Sequence, residues 1–423
     1  MIVMGGSIGS GIFVNPYVVA RQVHTYPLIL GAWVLGGITA LAGALVYSEL
    51  AVLRPNIGGQ YAYLREAYHP AVAFLYGWAL LFVTQTGGMA AVAVTFARYF
   101  REIVHINASD SLVAVLVLAL LTLVNCLGVK IGSTVQSTLM VMKIGAIVIL
   151  VLAAFQSPGA ASHATVREPF SPHLLLAFGA AVVPVLFAYG GWQTATFMTG
   201  EMRDPRRDLS RALLLGVAGV TAIYLSVNVV CLRTLGPAGL AATLTPAYTV
   251  MQKAIGVRGA VFISYAIAIS TLGFLSQGML TAPRVYFAMA RDGLFFRAIA
   301  WVPKTTRVPV PAIALQGVWA AVIALSQQYE QMLNYVMSMD AFFFGLTAAS
   351  LFVFRRRLGP AAQHRTPGHP FTTIFFVSVC WLVVLATFYH SPTNSFLGLA
   401  FVLIGIPVYL YWSRRKRAQA SCA

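Results

Sequence analysis

The chain has 423 residues, of which 59% are hydrophobic and only 9% charged. A soluble domain carries about 25% charged residues, so most of this surface faces something other than water and a soluble globular protein is excluded. The formal net charge of +17 is large enough to suggest nucleic acid, but its distribution along the chain, given below, argues against such a partner.

A spanning helix needs roughly 20 mainly apolar residues. Twelve such stretches follow one another, at about 2–20, 27–53, 71–103, 111–129, 132–156, 172–198, 209–233, 259–290, 309–326, 331–354, 372–390 and 395–412. They are long, continuous and rich in Leu, Ala, Val and Gly. A membrane β-barrel shows short alternating segments instead, so the reading is an all-α integral membrane protein of twelve transmembrane helices. No loop between the spans is long enough to fold alone, and no small-residue cleavage site follows the first span, so no signal peptide is expected.

The first span is interrupted by Gly5-Gly6-Ser7-Ile8-Gly9-Ser10-Gly11. Gly and Ser weaken a helix, and inside a bilayer a freed backbone survives only where protein or a cavity satisfies it. Glu49 lies near the end of the second span, and the third holds Thr84 and Gln85. Lys143 is the only Lys or Arg deep within a span, the fifth. A charge at the bilayer centre costs roughly 2.5–3.5 kcal/mol on insertion scales, so its presence needs a reason.

The sixth span breaks like the first, at Phe187-Ala188-Tyr189-Gly190-Gly191-Trp192. The breaks lie five spans apart, and an odd offset places them in helices of opposite direction. Two inverted halves give that arrangement: residues 1–156, helices 1–5, and residues 172–354, helices 6–10. Residues 372–423 add helices 11 and 12 and a basic tail. Matching glycine-interrupted segments in two halves point to a transporter's substrate site. Gly5 and Gly9 also form a small-xxx-small packing pattern, though packing alone does not account for two corresponding breaks. Ser270, Thr271 and Gln277 in the eighth span, with Thr84 and Gln85, are candidates to line the path or to bond helices to one another. Asp340 sits inside the tenth. Glu49 and Asp340 are each candidate proton carriers, and each can equally be satisfied by a backbone or polar partner.

With the N-terminus inside, alternating assignment puts 20 Lys and Arg on the inner side, Arg54, Lys130, Arg203, Arg355, Arg365 and Arg417 among them, against 7 outside, such as Arg21, Arg98 and Arg167. This is the positive-inside bias, and it predicts a multi-pass inner (plasma) membrane protein of a bacterium with both termini cytoplasmic. The stretch from Glu201 to Arg211 mixes four arginines with Glu201, Asp204 and Asp208, which suits either a gate held by ion pairs or a plain solvated loop. The four cysteines, Cys126, Cys231, Cys380 and Cys422, suggest neither a disulfide framework nor a metal site. The eight histidines are scattered in or near loops, with no His-Glu-x-x-His and no clustered aspartates. No enzyme, metal or cofactor is expected.

Gly9-Ser10-Gly11-Ile12-Phe13, Gly58-Gly59-Gln60-Tyr61-Ala62-Tyr63-Leu64, Phe74-Leu75-Tyr76-Gly77-Trp78, Asn125-Cys126-Leu127-Gly128-Val129-Lys130, Glu201-Met202-Arg203-Asp204-Pro205 and the run from Arg284 to Gly293 occur in that order. Together they resemble the amino acid–polyamine–organocation superfamily, and within it the bacterial relatives of the L-type amino acid transporters. The resemblance covers nearly the whole chain. It implies the leucine-transporter-like five-plus-five inverted repeat with helices 1 and 6 broken.

An amino acid zwitterion needs partners for a carboxylate and an ammonium. Unwinding a helix supplies bare N–H groups at the start of one half-helix and bare carbonyls at the end of the other, with matching partial charges. Gly9, Ser10 and Gly11 are therefore expected to donate to the carboxylate. The carbonyls of Ile8, Phe187 and Tyr189 are expected to receive the ammonium, with Ala188 and Gly190 completing the break. Phe187, Tyr189 and Trp192 are expected to form an occluding lid and side-chain pocket. The resemblance implies the same assignment. It also implies that Lys143 takes the place of the cation of sodium-coupled members, bridging the carbonyl end of the first half-helix to Ser270 or Thr271. If Lys143 releases its proton during transport the protein is a proton symporter; if it stays charged it is an exchanger or facilitator.

No acidic residue maps to the predicted pocket, which favours a neutral amino acid. A polyamine, cationic amino acid or other small amine, and a non-transporting sensor of the same fold, are the alternatives. The segment from Glu102 to Asp110 holds no cysteine where eukaryotic relatives bond a single-span partner. No disulfide-linked heavy chain is expected, and the chain is read as a monomer or weak homo-oligomer. Relatives carry about ten more residues before the Gly-Ser-Gly break, which leaves the first half-helix short here.

Overall fold

The computed structural model describes residues 2–54, 58–104, 106–156, 172–201, 204–326, 329–358 and 366–421. Arg167, Arg203, Arg365 and Cys422, and the side chains of Lys130, Glu201, Arg206 and Arg417, lie outside what is described. Among the described residues every regular element is helical.

The first span is split into α1 (Ile2–Ser7) and α2 (Gly11–Gln22), and α3 (Tyr26–Leu53) is the second. The short α4 (Gln60–Ala67) leads to α5 (Pro70–Ala79), a π-helical turn (Leu80–Thr84) and α6 (Gln85–Ile103), which together make the third. The fourth and fifth are α7 (Asp110–Cys126) and α8 (Val129–Gln156). The sixth combines α9 (Pro172–Tyr189) with a 3₁₀ helix (Trp192–Glu201). Next come α10 (Pro205–Ala242), the short α11 (Pro246–Ile255), α12 (Val257–Thr281) and α13 (Pro283–Arg291). The last four spans are α14 (Val310–Ser326), α15 (Tyr329–Leu358), α16 (Phe371–His390) and α17 (Pro392–Ser421).

Eight helical stretches are long and apolar enough to cross a bilayer, and three shorter apolar helices accompany them. With the broken first helix these account for the twelve spans of the sequence. Their outer faces carry rows of exposed aliphatic side chains, such as Leu116, Leu120 and Leu123 on α7 and Leu382 and Leu385 on α16. In water such rows would be a liability; in a bilayer they are the solvent-facing surface.

The polar links are concentrated at the two ends. At one end Arg54 pairs with Glu66 at 2.5 Å, Arg65 pairs with Asp292, and Arg357 donates to the Glu66 carbonyl at 2.6 Å. Glu49, with a fully buried side chain, accepts both guanidinium arms of Arg355, at 2.8 and 2.7 Å. It also accepts the Thr366 N–H at 2.6 Å. This clamp ties α3, α15 and the lead-in to α16 together and gives Glu49 the polar partners that were one of its two readings. At the other end Arg98 and Arg101 face Asp110, at 3.7 and 2.7 Å. Arg54, Arg65, Arg355 and Arg357, all of which the sequence reading put on the inner side, meet in the first of these groups. In the Glu201–Arg211 stretch, Asp204 caps α10 by accepting the Arg207 N–H at 3.3 Å.

The π-turn of the third span has visible support. Widening the helix frees carbonyls from their usual partners. The Phe82 carbonyl accepts from Trp319 Nε1 and the Tyr335 hydroxyl, each at 3.0 Å, and the Thr86 hydroxyl reaches back to Leu81 at 2.7 Å.

Candidate functional site

The first helix stops where its glycines and serines begin. The Ile8 N–H still reaches Met4 at 2.8 Å, but the Gly9 N–H folds back on Ser7 at 2.9 Å. The helix restarts at Gly11, with Phe13 and Val14 both donating to the Ser10 carbonyl, at 3.0 and 3.1 Å. Among the described residues the N–H groups of Ser10, Gly11 and Ile12 meet no backbone acceptor. They are the orphan donors of a helix start, at its partially positive end. The Ser10 hydroxyl is also buried without a partner.

The second break is tighter. Pro184 lies inside α9, and its carbonyl accepts Asn15 Nδ2 from α2 at 2.5 Å. The helix ends at Tyr189 and turns through Gly190 and Gly191, the latter at φ 95°. Such a φ is cheap only for glycine. The Gly191 carbonyl then accepts the Thr194 hydroxyl at 2.7 Å and its N–H at 3.2 Å, which starts the 3₁₀ helix.

The two broken helices cross with no side chain between them. A Cβ on Gly6 would sit 2.6 Å from the Gly191 carbonyl oxygen, and one on Gly11 would sit 2.6 Å from the Ala188 Cα. The crossing is pinned by Tyr224 of α10, wholly buried. Its hydroxyl lies 2.7 Å from the Ser7 carbonyl and 2.9 Å from the Ala188 carbonyl. One proton serves two acceptors, so the hydroxyl holds the carbonyl ends of both half-helices at once.

Beside the crossing is a cavity of about 80 Å³, measured at water-molecule centres, where one water needs roughly 10–15 Å³. A single small solute fits. Gly9, Ser10, Gly11, Phe187, Ala188 and Gly190 line it, as do Thr84, Gln85 and Gln277. Ile8, Tyr189 and Trp192 do not. The Tyr189 hydroxyl donates to the Trp33 carbonyl at 3.1 Å, and its ring packs on Trp33 and Tyr224. Trp192 stacks edge-on against Tyr47 and lies near Phe376. Tyr189, at the end of α9, and Trp192, beyond the Gly190-Gly191 turn, pack toward α3 and α16. There they line a second, smaller hollow of about 30 Å³ with Thr39 and Cys380. Of the expected aromatic lid only Phe187 faces the central cavity.

Lys143 is 3% exposed and donates from its ammonium to the Ile8 carbonyl. Ser270 and Thr271 lie outside the cavity lining. Among the described residues no hydrogen bond joins Lys143 to either. Thr271 donates to the Ile267 and Ala268 carbonyls of its own helix, at 3.1 and 2.8 Å, and the Ser270 hydroxyl is buried without a partner.

One expectation is overturned. Asp340 of α15 lines the cavity, so an acidic residue does belong to it. Its intramembrane position was the available signal; which face of its helix points inward depends on packing that one sequence does not reveal. Gln193, Thr194 and Phe274 of the lining, and the pin at Tyr224, were not anticipated either.

Comparisons with known proteins agree with this architecture. Residues 1–409 match the amino acid permease family. Over 98% of this chain there is 30% identity to the serine/threonine exchanger SteT of Bacillus subtilis, covering 95% of that protein. Over the same share there is 28% identity to the large neutral amino acids transporter small subunit 2 of Homo sapiens, covering 80% of it. The Asc-type amino acid transporter 1 of Mus musculus is also 28% identical over 98% of the chain, with 81% of its own length matched. A family match running through both broken helices and nearly the whole chain means that this protein belongs to the amino acid permease family.

Proposed function

We propose that this chain is a sodium-independent transporter of neutral amino acids, working by alternating access as an exchanger or with a proton. The observation that carries the reading is the pair of crossing breaks beside one small cavity, with the Ser10, Gly11 and Ile12 N–H groups unpaired by backbone. Those donors suit the substrate carboxylate, and the partially negative carbonyl end of α9 at Phe187 suits its ammonium. Lys143 on the Ile8 carbonyl places an amine where a coupling cation would otherwise sit. Neutral substrates are favoured by the names of the relatives, large neutral amino acids and serine/threonine among them.

The two inverted halves, residues 1–156 and 172–354, are part of this proposal, as is placement in a bacterial inner membrane with both termini cytoplasmic. The basic end of the bundle supports that sidedness. The chain is proposed to work without a disulfide-linked partner, as a monomer or weak homo-oligomer.

Counterflow in proteoliposomes tests the reading, with a panel of labelled amino acids, with and without sodium, and with an imposed pH gradient. Accumulation of neutral amino acids that ignores sodium is the expected result. Strict dependence on sodium, or no flux of any amino acid by folded protein, would overturn it.

A further inference from the structure

The breaks form one wall of the cavity; α6, the π-turn and α15 form another, carrying Thr84, Gln85, Gly88 and Asp340. The groups that feel the Asp340 carboxylate from neighbouring elements are Thr84 of the π-turn, Tyr47 of α3, Tyr76 of α5 and Cys380 of α16. None is a cation. Among the described residues the arginine–carboxylate pairs engage Glu49, Glu66, Asp110 and Asp292, and none engages Asp340. A carboxyl group held away from water asks for hydrogen-bond partners, and beyond Thr84 the cavity is the place from which a further partner can come. There is room for one: a Cβ added to Gly88, on the same wall, would meet nothing within 4 Å.

We propose that Asp340 recognises the far end of the substrate's side chain, and that this transporter selects short neutral amino acids whose side chain ends in a hydrogen-bond donor over those ending in an alkyl group. The inference rests on the transporter reading above and adds to it a substrate class. A substrate whose carboxylate and α-ammonium are taken by the breaks has only its side chain left to present to α15. The small cavity limits that side chain to a few heavy atoms. A donor-terminated chain satisfies the carboxylate, whereas an alkyl chain of equal size leaves it bare. Sites built to hydrogen-bond a substrate group discriminate strongly against the analogue that lacks it.

Norvaline, homoserine and 2,4-diaminobutyrate are nearly isosteric and differ only in a terminal methyl, hydroxyl or ammonium. Their competition against labelled alanine counterflow is measured for the natural chain and for Asp340→Asn. The natural chain is expected to prefer homoserine over norvaline, with diaminobutyrate as the charged control. Asp340→Asn is expected to lower that ratio at least about tenfold, the scale of one charge-assisted hydrogen bond. Asp340→Glu provides a second reading: its longer side chain should keep the preference for donor-terminated substrates but shift it toward the shorter serine. Unchanged ratios in both variants overturn the inference while leaving neutral transport intact. A parallel loss of norvaline and homoserine uptake, with the ratio preserved, overturns it too, because a carboxyl group serving only proton movement or packing gives that pattern. If the natural chain moves alanine but not diaminobutyrate or homoserine, the side-chain assignment fails alone; if it moves no amino acid, the transporter reading fails with it.

Discussion

Lys143→Ala separates a functional ammonium from a structural one. The lysine is 3% exposed and the Ile8 carbonyl it holds belongs to a residue with no exposure at all. A hydrogen bond to a charged group contributes about 1.5–3 kcal/mol. Placing the charge in the bilayer centre costs about 2.5–3.5 kcal/mol. For global stability the two nearly cancel, so the variant should insert and melt within a few degrees of the natural chain. Transport has no such compensation, because the lost bond is the one that shapes the carbonyl end of the break. At about 1.4 kcal/mol per factor of ten, uptake should fall about ten- to one-hundred-fold. Counterflow with labelled alanine, run beside a thermal melt of the same purified protein, measures both. Uptake within about twofold of the natural rate, with unchanged dependence on pH, would refute the role given to Lys143. A melting temperature that collapses together with activity would instead mark the lysine as a strut.

Gly191→Ala should abolish measurable counterflow, because φ 95° costs a side chain about 1–2 kcal/mol and the new Cβ would drive into the Gly6 main chain; a variant with near-natural uptake would show that the crossing is not needed. Glu49→Gln should lower thermal stability by the equivalent of about 3–5 kcal/mol, the cost of breaking a buried ion pair, with an unchanged melt counting against the clamp. His369 sits outside the spans with Nδ1 2.9 Å from the Thr373 hydroxyl, and burial, then the Arg355 charge, hold its pKa below the ordinary histidine value. Its folded form therefore resists protonation, so the stability it contributes is full above the ordinary histidine range, near 6.5, and is lost as pH falls through the depressed value. Thermal melts across that range should show a shallower acid-side decline in His369→Gln.

Much of the fold was legible because a bilayer imposes simple rules. Apolar runs near the required length located the spans to within a few residues, as for 27–53 against α3 at Tyr26–Leu53. The first break was legible because glycine and serine crowd into it, and it falls at Ile8–Ser10. Side-chain facing was another matter. Trp192 follows the second break in sequence, yet it lines the neighbouring smaller hollow rather than the central cavity that Phe187 lines. The meeting of Lys143 with Ile8 spans 135 positions, and no local pattern encodes it; charge burial only said that some acceptor must exist. Asp340 and Glu49 looked alike as intramembrane acids, and only packing separated them, one into a clamp and one onto the cavity wall. Ser270 and Thr271 lie outside the cavity lining, which the polarity of their span could not show.

The π-turn at Leu80–Thr84 bears on how this cavity varies among proteins of its kind. Such a turn holds one residue more than a regular helix, and each residue of an α-helix advances the facing by about 100°. Thr84, Gln85, Gly88 and Val92 form a stripe toward the cavity, and the surplus residue sets the phase of that stripe. Loss of one residue from the turn would swing the rest of the third span by about a quarter revolution and bring a different set of side chains to the substrate. The span would keep its place in the bundle throughout. A single-codon deletion at that turn is thus a route by which a chain of this design exchanges a whole wall of its binding chamber in one step.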